Sequence, residues 1–415
     1  MYQEADMEAD TKTVLDRGES ISQMEPVRLG ETSRGRSGLI DLVVELAQKS
    51  AAFRRSLPEE VGTSLADLIR AMNCYYSNLI EGHNTHPVDI ERALNNDYSQ
   101  DARKRDLQHE AKAHIAVQQW IDGGGIAGRA VTAGAIQELH QRFCDQLPED
   151  LLWVEDPQTG ERVRVVGGEW RTHGVKVGQH VAVSPGALPR FLALFESAFA
   201  DLGKTELILA CAAAHHRLLW MHPFLDGNGR VARLMSHAML AETLDTGALW
   251  SVARGLARNE AAYKAHLAAC DQPRRHDLDG RGALSEEALL EFTRFFLTVC
   301  IDQVAFLEHL MEPNRFRARV LLWAEEEVRV GALPPKSGSV LEAILYRGAL
   351  ARGDVEAVVG TGERQARRVV APLLARGVVV SDSSRAPLRL AFPAALAGRW
   401  MPGLFPDQTP EQTAG

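Results

Sequence analysis

Hydrophobic positions recur at helical spacing over most of this chain. Leu39, Ile40, Leu42, Val43, Leu46 and Ala47 form a first apolar stripe, the mark of an amphipathic helix. Leu65, Leu68, Ile69, Met72, Tyr76, Leu79 and Ile80 repeat the pattern, and Gly82 fits the left-handed position that closes a helix. Residues 84–122 read as polar, charged helices, ended by Gly123, Gly124 and Gly125, and another helix is expected over 132–144. Residues 206–221 are almost continuously apolar; that length, with its Ala and Leu content, favours a buried helix over a strand. A second helical pattern covers 231–240, and residues 289–310 are strongly amphipathic behind Ser285, a fitting N-cap. The period changes to two only from 152. Residues 153–155 and 162–166, around a turn at Pro157, Gln158, Thr159 and Gly160, predict a hairpin, and residues 175–183 alternate again.

Between the two helical patterns stands His222-Pro223-Phe224-Leu225-Asp226-Gly227-Asn228-Gly229-Arg230, with Arg233 three residues on. A Gly-Asn-Gly turn that opens a helix aims unpaired N–H groups outward at the positive end of the helix dipole, an anion site for which phosphate is the natural occupant. Arg230 and Arg233 project from one face of the first turns, close to those amides. Asp226 supplies a hard carboxylate of the kind a phosphate-bridging magnesium ion needs. His222 is the nearby side chain that titrates near neutral pH and could take a proton from a nucleophile. Base, carboxylate, phosphate cradle and two cations describe phosphoryl or nucleotidyl transfer.

The pattern His-x-Phe-x-Asp-Gly-Asn-Gly-Arg-x-x-Arg resembles the signature of the Fic (Fido-domain) family, and every fixed position is present. The resemblance implies a mainly α fold: a Fic helical core with a small β-hairpin flap, here followed by a C-terminal winged helix-turn-helix. It implies a protein adenylyltransferase that moves AMP from Mg-ATP to a Ser, Thr or Tyr hydroxyl of a protein. In that family reading His222 deprotonates the hydroxyl and Asp226 holds Mg²⁺. Gly227, Asn228 and Gly229 receive α-phosphate oxygens through amides and the Asn side chain. Arg230 faces the β-phosphate and Arg233 the γ-phosphate, while Phe224 fills the core and fixes the loop. Ser77-Asn78-Leu79-Ile80-Glu81-Gly82 resembles the family's inhibitory motif, with Ser77, Glu81 and Gly82 at its fixed positions; Glu81 is expected to pair with Arg233 where the γ-phosphate would go. Gly168-Glu169-Trp170-Arg171 resembles the element that leads into the flap, placing Val175, Lys176, Val177 and Gly178 on the strand that registers a target segment. The family often has Pro where this chain has Gly167.

The domain organisation expected is a disordered tail (1–37), an N-terminal helical region with the inhibitory motif (38–125), the Fic core (126–312), a helix and linker (313–339), the winged helix-turn-helix (340–400) and a tail (401–415). In the last domain residues 363–376 form the third helix and expose Arg364, Arg367 and Arg368, which suits DNA phosphates. Nine arginines stand against five acidic residues between 340 and 399, a mild excess that leaves DNA and protein both open as partners.

Composition narrows the rest. A net charge of −9 over 415 residues argues against a whole-protein basic surface. No apolar run approaches the ~20 residues of a membrane span. Five cysteines lie far apart without Cys-x-x-Cys, so reduced core thiols and a cytoplasmic protein are expected. His215 and His216 raise a zinc reading, but adjacent residues on a helix point about 100° apart and cannot share one ion. Asp277 to Gly282 lacks the alternating ligands of a calcium loop and reads as a turn. Tyr263 sits at helical spacing, as a core residue or as an aromatic near the base. Open alternatives are removal of AMP, transfer of another phosphate-containing group, and a DNA-binding regulator with a nucleotide-sensing Fic module. Self-modification, homo-oligomerisation and the identity of the target are also left open.

Overall fold

A computed structural model describes residues 14–155, 160–244 and 246–406. Eight helices lead to and through the signature: α1 (Arg36–Arg55), α2 (Glu59–Ile80), α3 (Pro87–Leu94), α4 (Ala102–Asp122), α5 (Ala133–Cys144), α6 (Leu188–Phe199), α7 (Lys204–Met221) and α8 (Asn228–Thr243). Then α9 (Val252–Arg258), α10 (Glu260–Cys270) and α11 (Glu286–Leu310) complete a mainly helical core. The centre is α7, where Cys211, Ala212, Ala213, Ala214 and Leu218 are all at most 1% exposed. Their small side chains let α8 lie alongside, with α11, α1 and α6 packed around the pair. Caps fall where their residue types predict: Thr132 Oγ1 accepts from the Ala135 amide (3.1 Å) and Ser285 Oγ from that of Ala288 (3.0 Å).

Two hairpins interrupt the helices. Strand β1 (Trp153–Glu155) pairs antiparallel with β2 (Arg162–Arg164), Val154 opposite Val163; the expected turn residues Pro157, Gln158 and Thr159 lie outside the described residues. Strands β3 (Lys176–Val177) and β4 (His180–Val181) form the second, turning at Gly178 with φ +59°. Val177 and Val181 are exposed on it.

The C-terminal unit comprises α12 (Pro313–Arg329), α13 (Ser337–Arg347), β5 (Ala349–Leu350), α14 (Val355–Val359), α15 (Glu363–Ala375), β6 (Val379–Val380), β7 (Leu388–Leu390) and α16 (Ala397–Trp400). Here β7 lies between β5 and β6 in a three-stranded sheet, whose strands of two or three residues are too short to carry a periodic signal. Arg364, Arg367 and Arg368 are exposed on α15, with Arg367 paired to Glu363. No helix among the described residues is long and apolar enough to cross a membrane. All five cysteines are buried free thiols.

Three expectations are corrected. The tail assigned to 1–37 is packed from residue 14 onward: Met24 is fully buried, and Arg217 of α7 donates Nε and Nη2 to the Pro26 carbonyl (3.1 and 2.6 Å). Met24, Val27 and Leu29 bury without helical spacing, so no periodicity betrayed them. At the other end Met401 and Leu404 are fully buried, the Leu404 carbonyl accepts from the Tyr76 hydroxyl (3.0 Å), and Gly403 accepts from Arg254 (2.7 Å). The assigned tail therefore begins as a strap against α2. Finally, the linker over 333–339 is a turn, with Leu333 buried and α13 starting at Ser337.

Candidate active site

Helix α7 ends at His222, whose φ of +48° turns the chain out of the helix. Five residues later Gly227, at φ +78°, starts α8, a conformation that suits glycine. The loop between them is closed on itself. Asn228 Oδ1 accepts from the Phe224 amide and its Nδ2 donates to the Phe224 carbonyl, both at 2.9 Å. The Asn228 side chain, 2% exposed, thus braces the loop through both of its polar atoms.

Two residues outside the signature support this loop. Phe224 is fully buried and stacks on the His140 ring (3.8 Å between centroids, 10° between planes), with Trp170 at 5.1 Å. His140 Nδ1 accepts from the Gly168 amide (3.0 Å), while the ring also bonds to the Asp226 backbone. Burial holds its pKa down at about 4, which keeps the neutral ring this donor–acceptor pair requires. Arg171 is the second brace. Its Nε donates to the His222 carbonyl (2.7 Å), and Nη2 to those of Val183 (2.5 Å) and Met221 (3.2 Å). Its amide donates to Pro223 (2.9 Å), so one arginine ties the root of the second hairpin to the signature loop.

The His222 imidazole bonds to the backbone of Leu219, leaving its second nitrogen for another partner. Burial lowers its pKa to about 4, with Arg171 and His180 acting in the same direction. The ring is therefore neutral near pH 7 and able to accept a proton. Asp226 is exposed at the loop mouth.

The two signature arginines are buried and turned to different partners. Arg233, 3% exposed, donates Nε to Ser77 Oγ (2.8 Å), Nη2 to the Ser77 carbonyl (3.1 Å) and Nη2 to Glu81 Oε1 (2.5 Å). The Glu81 carboxylate also sits against Gly229, where an added Cβ would collide with it. It thus lies over the first turn of α8. Burial pushes the Glu81 pKa up, but Arg233, Arg230 and His83 outweigh that and the carboxyl titrates below its ordinary range. Its position comes from the end of α2. Gly82 takes φ +84°, its amide donates to Leu79 (3.0 Å) and that of His83 to Asn78 (2.9 Å), a Schellman closure. Arg230 lies 5.0 Å from the Phe143 ring centroid and 3.6 Å from Glu110 Oε2, and its buried Nε has no partner among the described residues.

Ser77, Glu81, Gly229 and Arg233 are therefore brought together, while Arg364, Arg367 and Arg368 lie on α15. Val175, Lys176, Val177 and Gly178 belong to the exposed second hairpin, where Val175 accepts from the Ala182 amide (3.1 Å). His180 of that hairpin reaches the Trp220 carbonyl (2.7 Å). His215 bonds Ser236 (2.9 Å) and Tyr263 (2.6 Å), whereas His216 bonds Asp271 (3.0 Å) and Leu267 (3.2 Å); the adjacent rings diverge, as helix geometry demands. Tyr263 is core, 2% exposed. His140 and Glu110 escape a reading of the sequence, since a buried His or Glu on a polar-looking helix carries no local signal.

Residues 130–240 match the Fic/DOC family model. The protein adenylyltransferase Fic of Drosophila ananassae is 26% identical over 202 residues, 48% of this chain and 36% of the fly protein. That of Drosophila virilis is 29% identical over 168 residues, 40% of this chain and 32% of its own. The chain thus spans about a third of the length of these curated relatives. Among solved structures, a Fic family protein from Desulfovibrio desulfuricans G20 aligns with a TM-score of 0.49 at 17% identity, over 85% of this chain and 95% of that one. Fic-1 (residues 134–508) from C. elegans aligns at 0.47 and 17%, over 66% and 72%. The complete signature lies inside that matched segment, so residues 130–240 are similar to the Fic/DOC family where the loop between α7 and α8 is built.

Proposed function

We propose that this chain transfers AMP from ATP to a Ser, Thr or Tyr hydroxyl of a protein, and that Glu81 holds it inhibited. The observation that carries this reading is the Glu81 carboxylate bound by Arg233 (2.5 Å) over Gly229 at the start of α8. A carboxylate held by a buried guanidinium at a helix N-terminus marks an anion site, and a triphosphate is the stronger anion for it. The unpartnered Nε of Arg230 offers a further donor nearby. The name shared by the curated relatives, protein adenylyltransferase, supports the choice of nucleotide.

In this reading the neutral His222 ring, oriented through Leu219, accepts the proton of the target hydroxyl. The hydroxyl oxygen forms a bond to the α-phosphorus as the bond to the leaving pyrophosphate breaks. Backbone amides of Gly227 to Gly229 receive α-phosphate oxygens, Arg230 faces the β-phosphate, and Arg233, once free of Glu81, faces the γ-phosphate. Asp226, a hard and exposed carboxylate beside the amide turn, suits Mg²⁺. When bound, that ion neutralises phosphate charge. The hairpin carrying Val175, Lys176, Val177 and Gly178 presents an exposed strand to which a target segment adds by main-chain pairing.

The test is intact-mass spectrometry of the wild-type and Glu81→Gly proteins after incubation with Mg²⁺ and each nucleoside triphosphate in turn. Addition of one AMP from ATP, greater in the variant, is expected. Addition of UMP or bare phosphate instead, or no adduct with any nucleotide on the protein or an offered protein mixture, refutes the assignment.

A further inference from the structure

Immediately after Glu81 the chain reaches back to another helix. His83 Nδ1 donates to Glu110 Oε2 of α4 at 2.6 Å, and the same oxygen lies 3.6 Å from Arg230 Nη2. None of the roles proposed above uses His83 or Glu110. We infer that His83 and Glu110 form a latch fastening the end of α2 to α4, so that Glu81 stays on Arg233 while no nucleotide is bound. The inference rests on the proposed inhibitory role of Glu81 and names how that role is set.

The geometry calls for such an anchor. Upstream of Glu81, Arg233 fastens α2 through Ser77 Oγ (2.8 Å) and the Ser77 carbonyl (3.1 Å). Downstream, the turn passes Gly82 at φ +84° with nothing within 4 Å of a built Cβ. Side-chain packing therefore does not hold the turn at that point; beyond the two amide bonds of the Schellman closure, the next contact along it is the His83 ring with Glu110. Glu81 lies between the two anchors. Its side chain is 34% exposed and keeps rotamer freedom that only neighbouring restraints remove.

The charges facing His83 give the latch a direction. They are Glu110 from α4, Arg230 from α8 and Glu81 from its own turn. The hydrogen bond to Glu110 raises the His83 pKa most, burial and Arg230 oppose it, and the net shift is upward. A group whose folded pKa is raised contributes fully below its unfolded value and loses that contribution as pH rises through the folded value. The latch is therefore closed in mild acid and loosens as pH increases. His222 titrates at about 4, well below this window, so its protonation does not produce the same trend.

The experiment compares wild type, His83→Ala and His83→Asn, each with and without Glu81→Gly. Initial rates of AMP incorporation are measured against ATP concentration between about pH 6 and 8.5. With Glu81 present, His83→Ala should raise the rate at low ATP by roughly 2- to 10-fold, the scale of one partly exposed charge-assisted bond. His83→Asn keeps a neutral donor at the position of Nδ1, so it should raise the rate less and flatten its rise with pH. In the Glu81→Gly background neither substitution should alter rate or KM. Amide exchange at residues 81–84 should quicken in His83→Ala whatever the activity. Equal effects of His83→Ala in both backgrounds, or no effect in wild type while Glu81→Gly activates, overturn the latch and leave adenylyl transfer standing. A Glu81→Gly protein inert with every nucleotide removes the function itself, and unchanged exchange at 81–84 then removes the latch on structural grounds too. His83→Asn, which matches the ring as far as Nδ1, carries the comparison should His83→Ala fold poorly.

Discussion

Replacing Glu81 by glycine removes one of three hydrogen bonds from Arg233 and leaves the two to Ser77. The guanidinium is 3% exposed and stays where it is, with Nη2 freed on the side of Gly229. A charge-assisted bond of this kind contributes about 1.5–3 kcal/mol. With its competitor gone, a phosphate reaches Arg233 without displacing a carboxylate, so transfer below ATP saturation should rise roughly 10- to 150-fold. The same change leaves a buried cation short of counter-charge in the nucleotide-free protein, which should melt a few degrees lower. Mg-ATP should then restore more of the melting temperature in the variant than in wild type. One contact thus predicts opposite signs for resting stability and for activity. Rates of incorporation from α-labelled ATP, paired with thermal melts with and without nucleotide, read both. A variant that melts lower yet transfers no faster would refute the competition argument.

Further outcomes follow from the braces around the loop. His222→Ala should lower transfer at least ~100-fold with the ATP dissociation constant unchanged, as read by calorimetry beside a labelling assay; retained labelling would take His222 out of the mechanism. Phe224→Ala removes a fully buried ring stacked on His140 and should cost about 3–5 kcal/mol in urea unfolding; a cost near zero would mean the loop is held without it. Burial keeps His114 and His215 near a pKa of about 3, and His140 and His216 near about 4. The unfolded chain protonates these rings below about 6.5, so stability should fall as pH drops from there, by about 1.4 kcal/mol per pH unit for each histidine. Urea midpoints that stay flat from about pH 7 to pH 5 would contradict that burial.

Much of the site is legible in the chain because its chemistry is local. The cradle, Asp226, His222 and both arginines lie within twelve residues, and the Gly227 turn and the start of α8 follow from glycine's backbone freedom. The pairing of Glu81 with Arg233 spans 152 residues and is legible only through the motif around Ser77 and Gly82. What stays hidden is polar burial. Helix α4 looks solvated, yet Gln108, Glu110, His114 and Gln118 are buried on it beside Ala111, Ile115 and Ile121. Gln108 bonds the Asp89 and Asp97 carbonyls and Gln118 accepts from Asn73, so hydrogen bonds stand in for part of the apolar stripe that periodicity would detect. The bracing bonds of His140 and of Arg171, itself part of the motif at 168–171, are hidden for the same reason, since their partners are backbone groups remote in sequence. The packed ends of the chain escape differently: Met24 and Leu404 bury singly, with no repeat to announce them.

The central claim is that Glu81 occupies the place on Arg233 that a nucleotide phosphate takes. Calorimetric titration of ATP into the His222→Ala protein, with and without Glu81→Gly, tests it with turnover silenced in both. The account predicts a dissociation constant roughly 10-fold or more lower for the double variant, with the gain abolished when ATP is replaced by AMP, which carries no γ-phosphate. Equal affinities of the two proteins for ATP, or an equal gain with AMP, would contradict it.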